Sequence, residues 1–106
     1  MESVRAYDGI TVILTEGIIA HIVRKHSEIL SLLSLDRQGF VELLHSALKE
    51  PNEVYADAYQ SKYFLKKLDN LHLNVVVSEG IVKTAYLISG KTYSKMRKKR
   101  WLQRLC

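Results

Sequence analysis

The apolar positions of this chain change period near its middle. From 18 to 33, Ile18, Ile19, Ile22, Val23, Ile29, Leu30 and Leu33 recur at helical spacing. His21, Arg24, Lys25 and Glu28 take the opposite face. Thr15 stands where an N-cap belongs, with Glu16 in the first turn. His26 falls among the apolar positions if this helix runs straight, whereas Ser27 as a fresh cap would leave it at a helix end. A second helix is predicted over 36–49, capped by Ser34 or Asp36 and apolar at Phe40, Val41, Leu43, Leu44, Ala47 and Leu48. Pro51 ends it, because the residue before a proline disfavours helix. Ahead of both helices, residues 3–8 and 10–14 read as a short strand or hairpin around Asp8-Gly9.

After Pro51 the pattern becomes β-branched and aromatic. Residues 54–55, 59–68, 71–77 and 81–88 are strand-like, and Asp69-Asn70 and Glu79-Gly80 are tight-turn pairs. Strands joined this closely pair antiparallel, since parallel neighbours need long crossovers. Residues 91–105 suit a helix with Met96, Trp101 and Leu105 on or near one side. The expected fold is therefore α+β: two N-terminal helices packed on one face of a four-stranded antiparallel sheet, with a basic C-terminal helix or tail. Residues 1–90 form the expected single domain, and 91–106 the tail.

Composition sharpens this picture. At 106 residues and 47% hydrophobic, with one proline and five glycines, the chain suits one folded domain. Its lone cysteine, Cys106, permits no intramolecular disulfide, which favours a cytoplasmic location. No apolar run approaches the roughly 20 residues of a membrane span, and no signal-peptide pattern is visible, so no membrane partner is expected. The net charge of +5 is unevenly placed. Residues 91–106 hold seven of the 16 cations and no acid, whereas the rest carries nine cations and all 11 acids, a net of −2. The nucleic-acid-binding signal thus concentrates in Lys91, Lys95, Arg97, Lys98, Lys99 and Arg100, with Tyr93 and Trp101 available to stack on bases.

Candidate chemistry is sparse. Histidine is the side chain that exchanges protons near neutral pH, and His21 lies one turn from Arg24 and Lys25, cations suited to a phosphate. From spacing alone the plainer reading is a solvated helix face with an Arg24–Glu28 ion pair. His26 reads as a core-edge histidine and His45 as surface. His72 opens a strand and alternates with Asn74 and Val76. His21 and His26 are five apart, not the three or four that align metal ligands on a helix, so no metal is expected. No cofactor motif is present. Thr84 shares a strand face with Val82, Tyr86 and Ile88, as a half-buried threonine or a hydroxyl facing a cleft. Tyr63, Lys66 and Lys67 lie on another strand.

Several of these pieces occur in an order that resembles the barnase/EndoU/colicin/RelE-like (BECR) nuclease superfamily, in particular its small phage- and prokaryote-associated branches. They are Leu14-Thr15-Glu16, His21-Ile22, Arg24, His26-Ser27-Glu28, Pro51-Asn52-Glu53-Val54, Tyr63, Val75-Val76-Val77 and Val82-Lys83-Thr84-Ala85-Tyr86. The resemblance covers about residues 10–88. It implies a metal-independent ribonuclease, of toxin type in many members, with helix groups His21, Arg24 and His26 and sheet groups Lys66 and Thr84 as the catalytic set. Lys25, Tyr63 and the basic tail would hold RNA. The alternative is a non-catalytic nucleic-acid-binding module that uses the tail. An acidic antitoxin-like protein is a further expected partner, and oligomeric state is left open.

Overall fold

Alternation sets the first two strands. Val4 in β1 (Glu2–Arg5) and Val12 and Leu14 in β2 (Thr11–Leu14) are buried between less buried neighbours. The two pair antiparallel through a turn at Gly9, whose φ of +83° suits glycine. The computed structural model describes residues 2–99 and 102–106, so Arg100 and Trp101 of the sequence reading lie outside the described residues.

Thr15 opens α1 (Glu16–Lys25), its Oγ1 accepting the Ile18 N–H at 3.1 Å. The expected first helix is broken in two. At His26 the backbone turns to φ −128°, ψ 49°, although its N–H still donates to the Ile22 carbonyl at 2.7 Å. Ser27 begins α2 (Glu28–Leu33) without a side-chain cap bond, and Ser34 ends it in the left-handed region at φ 52°. Asp36 caps α3 (Arg37–Lys49), its Oδ1 accepting the Gly39 N–H at 2.7 Å. The expected second helix is thereby matched to within a residue.

Beyond Pro51, β3 (Glu53–Ala56), β4 (Lys62–Leu68), β5 (Leu71–Ser78) and β6 (Ile81–Ser89) pair successively and antiparallel. Glu79 and Gly80 turn between Ser78 and Ile81, both at positive φ, 56° and 74°. That is the backbone a two-residue hairpin needs to match strand twist. Helix α4 (Gly90–Arg97) follows β6, capped by Ser89, and β7 (Gln103–Arg104) comes last.

The four-stranded antiparallel sheet with two N-terminal helices is not what forms. Among the described residues the sheet has seven strands in the order β1-β2-β6-β5-β4-β3-β7, and there are four helices. It is mixed, because β2 lies parallel to β6 through the pair Ile13 and Ile81. At the other edge β7 pairs antiparallel with β3, Tyr55 opposite Arg104. The physical reason is that alternation marks a strand but not its neighbour. The N-terminal hairpin finds its partner far along the chain, and two residues are too few for β7 to show a period.

The sheet buries two unlike faces. One packs against α1 and α3 in the main core, where Ile19, Ile22, Phe40, Leu44 and Leu48 meet Val54, Phe64, Leu73, Val75 and Ala85. The other carries a smaller cluster, Tyr55, Leu65 and Ile88, covered by Tyr93 and Met96 of α4 and by Leu102. Polar chemistry collects on this second face.

Candidate functional site

Register determines what the second face presents. Tyr63, Val76 and Thr84 lie abreast on β4, β5 and β6, and one step along the face Leu65, Asn74 and Tyr86 do the same. The next rank is Lys67, His72 and Ile88. Residues two apart on a strand share a face, so these ranks form one surface beneath α4.

On one side of α4 a cleft of about 280 Å³ is lined by Tyr63, Asn74, Tyr86, Thr92, Lys95 and Lys99, with Ile88, Met96 and Leu102 as its apolar walls. The Asn74 amide nitrogen donates to the Tyr86 hydroxyl at 3.1 Å. Asn74 is only 2% exposed, and its Oδ1 has no partner among the described residues. A buried acceptor left unmatched costs about 1–3 kcal/mol, so a donor entering the cleft gains a ready contact. The Tyr63 hydroxyl is engaged, donating to Asp57 Oδ2 at 2.8 Å. Burial and the Asp57 carboxylate push that phenol up to about 12. Tyr63 therefore offers the cleft a ring rather than a proton.

His26 approaches this cleft from α1. Its ring lies 5.9 Å from that of Tyr86, centroid to centroid, tilted by 38°. The break between α1 and α2 sets it there, and Glu28 steadies its Nδ1 side at 3.5 Å. The expected Arg24–Glu28 pair is thus replaced by His26–Glu28.

On the other side of α4 is an open recess of about 370 Å³, lined by Asn52, Glu53, Lys67, His72, Tyr93, Arg97 and Arg104. Glu53 is 6% exposed. It accepts hydrogen bonds from the Tyr55 hydroxyl, at 2.7 Å, and from the Tyr93 hydroxyl. Arg104 Nη1 stands 3.5 Å and Arg97 Nε 3.8 Å from Glu53 Oε1, the oxygen that accepts from Tyr55, whereas Tyr93 donates to Oε2. Burial raises its carboxyl, but the Tyr93 and Tyr55 hydroxyls and the Arg104 and Arg97 charges outweigh this and hold it below the ordinary carboxylate value. Glu53 is therefore ionised at neutral pH, fastening α4 and the C-terminal segment to the sheet.

The sequence-nominated residues divide by face. Tyr63 and Thr84 are in register, Lys95 and Lys99 line the cleft, and His26 touches its Tyr86 wall. His21 is half-buried on α1; it, the exposed Arg24 and the exposed Lys25 are not among the cleft's lining residues, and neither are His26 and Thr84. Lys66 alternates onto the helix side of β4, where its Nζ donates to the Glu50 carbonyl at 2.7 Å and secures the end of α3. Lys91 on α4 and Lys98 at its C-cap are exposed, whereas Arg97 is engaged by Glu53 and lies over the Tyr93 ring. Sequence reasoning passed over Asn74, Glu53 and Arg104 as site residues and gave His72 no role. A signal existed for two of them: His72 and Asn74 interrupt an otherwise apolar strand at alternate positions, which marks one polar face.

Among the described residues no three His, Cys, Asp or Glu side chains group to hold a metal ion, and no helix is long and apolar enough to cross a membrane. No family model, no curated protein and no solved structure matches the chain.

Proposed function

We propose that the protein binds single-stranded RNA in the cleft beside α4 and cleaves it without a metal ion, by proton transfer at His26. The contact between His26 and Tyr86 carries this reading, because it joins a titratable group of α1 to a cleft lined by cations and aromatic rings. The reaction needs few parts. His26 takes the proton of a ribose 2′-hydroxyl, the oxygen attacks the adjacent phosphorus, and the bond to the 5′-oxygen breaks. The proton then returns to that leaving oxygen. Lys95 and Lys99 neutralise charge developing on the phosphoryl oxygens, with Thr84 as a hydrogen-bond donor. Tyr63 and Tyr86 supply stacking surfaces. His21 and Arg24, which do not line the cleft, take no part in this reading. Lys66 is left out, since it is bonded to Glu50 on the other side of the sheet.

The test is cleavage of a labelled single-stranded RNA in excess chelator, with a 2′,3′-cyclic phosphate as the expected product end. His26→Ala lowers the rate by about a hundredfold or more, the lower range for losing a positioned acid–base group. Lys66→Ala stays within about twofold of the parent, as expected for a surface change away from the chemistry. Undiminished cleavage by His26→Ala overturns the assignment.

A second reading has its own support: Lys95, Lys99 and the tyrosines of the cleft favour RNA binding whether or not His26 reacts. Binding that Lys95→Ala weakens, without cleavage by the parent protein, selects this non-catalytic module. An acidic protein partner seated on the exposed cations of α4 would close the same cleft.

A further inference from the structure

Helix α4 divides the polar face of the sheet into two recesses. Thr92, Lys95, Met96 and Lys99 look onto the cleft, and Tyr93 and Arg97, four residues apart, look onto the other side. The second recess is walled by Lys67, Arg97 and Arg104 against the single acid Glu53. That acid is sequestered by two tyrosine hydroxyls and two guanidiniums, so the mouth of the recess keeps a positive balance. Lys67 has no acidic partner among the described residues, although its own backbone N–H is tied to Asn52 Oδ1 at 2.8 Å. Beneath these cations lies His72, 8% exposed and stacked on Tyr93. Its Nδ1 is buried and meets no partner among the described residues.

We infer that this recess is a phosphate-binding subsite, with Lys67 and Arg104 as the cations that hold the anion over His72. Resting on the RNA reading of the neighbouring cleft, we further infer that the phosphate is a phosphodiester of the strand that fills the cleft. Three features support the first step. Cations converge from β4, α4 and β7, three separate elements. Guanidiniums match the oxygens of a phosphate in pairs, which a carboxylate shared between them at 3.5 and 3.8 Å does not exhaust. Burial, together with the Lys67 charge and against the pull of Glu53, lowers the His72 imidazole, leaving it neutral with one N–H to donate. The second step follows from position. His72 and Asn74 share a face two residues apart on β5, roughly 7 Å at the usual rise of a strand. Because α4 stands between the two recesses, a strand of RNA that fills the cleft reaches the second recess by passing around the helix, a path longer than a dinucleotide.

The test uses the full chain and two probes. Inorganic phosphate is titrated at fixed ionic strength, chloride replacing it, and the His72 ring signals are followed by NMR. A non-cleavable 2′-O-methyl RNA is then compared as a dinucleotide and a hexanucleotide. Lys67→Ala is the main variant because that ammonium ties nothing else down, and Arg104→Ala is the second. A saturable His72 shift is expected, weakened about fivefold or more in each variant, the size of one charge-assisted contact. The hexanucleotide loses affinity to the same degree and the dinucleotide does not. If phosphate binds but both variants hold the hexanucleotide as tightly as the parent, the site takes a free phosphate or phosphomonoester and the phosphodiester step is overturned. If phosphate gives no saturable shift, the subsite is overturned, whatever the His26 cleavage assay shows.

Discussion

His72 and Tyr93 lie face to face, their ring centroids 4.0 Å apart and their planes 12° apart. One ring rises from the middle of the sheet and the other descends from α4, so the stack ties the C-terminal helix to β5. The Tyr93 hydroxyl continues past the stack to Glu53 on β3. One tyrosine thereby links two strands to the helix that separates the cleft from the cationic recess.

Glu53 makes the stability of this arrangement acid-sensitive. Its carboxyl is held below the ordinary carboxylate value in the folded chain. The contribution is fully present above that ordinary value and is lost as pH falls through the lower, folded one. Glu53→Gln is expected to cost about 1.5–3 kcal/mol at pH 7, the range for hydrogen bonds to a charged group. The difference from the parent shrinks as pH drops below about 4. Urea unfolding across that interval checks both statements, and a difference that stays constant with pH refutes them.

His72 acts with the same sign nearer neutrality. Burial lowers its imidazole, so the unfolded chain binds the proton more readily than the folded one. Stability therefore rises with pH up to about 6.5, the unfolded value, and is flat above it for this group. In His72→Phe, which keeps a ring for Tyr93 to stack on, melting temperature loses this component of its rise between acid and neutral pH. A parent and a variant with parallel curves would count against the stack as the seat of the effect.

Tyr63 predicts an alkaline signature. Its hydroxyl is pushed up to about 12 by burial and by Asp57. A folded value above the unfolded one means stability present below about 10 that disappears as pH climbs toward the folded value. Burial also raises Tyr7, Tyr55 and Tyr93, so absorbance titration of the phenolates should show several late groups, of which Tyr63→Phe removes one and Asp57→Asn shifts that one earlier.

Glu79 sits at φ 56° in the turn between β5 and β6, beside Gly80. A side chain other than glycine, asparagine or aspartate pays a steric penalty there. Glu79→Asn creates the Asn-Gly pair preferred in such turns. It should raise stability by about 0.5–1 kcal/mol, read as a higher midpoint in urea with an unchanged slope. Glu79→Val should lower it.

Much of this molecule was legible along the chain, and the reason is local physics. Thr15 and Asp36 cap helices because their side chains reach backbone N–H groups three residues on. Asp69-Asn70 and Glu79-Gly80 turn because two residues suffice to reverse a strand. Helical period likewise separated Ile22 from Arg24, and His26 at a helix end was one of its two stated alternatives. What periodicity could not supply was partnership at a distance. Nothing local to Ile13 announces Ile81, nor does anything near Arg104 announce Tyr55, and without those pairings the sheet was expected to have four strands instead of seven. The same limit governed the site. The sequence alone determined that histidines and cations exist along α1 and at its end, and that cations exist in α4. Only the tertiary structure decided that His26 meets Tyr86, that Lys66 turns to the other face, and that Glu53 and His72 gather Arg97, Arg104 and Tyr93 around them. Those contacts depend on register across strands and on which face a returning helix covers, and both are set by burial summed over the whole core.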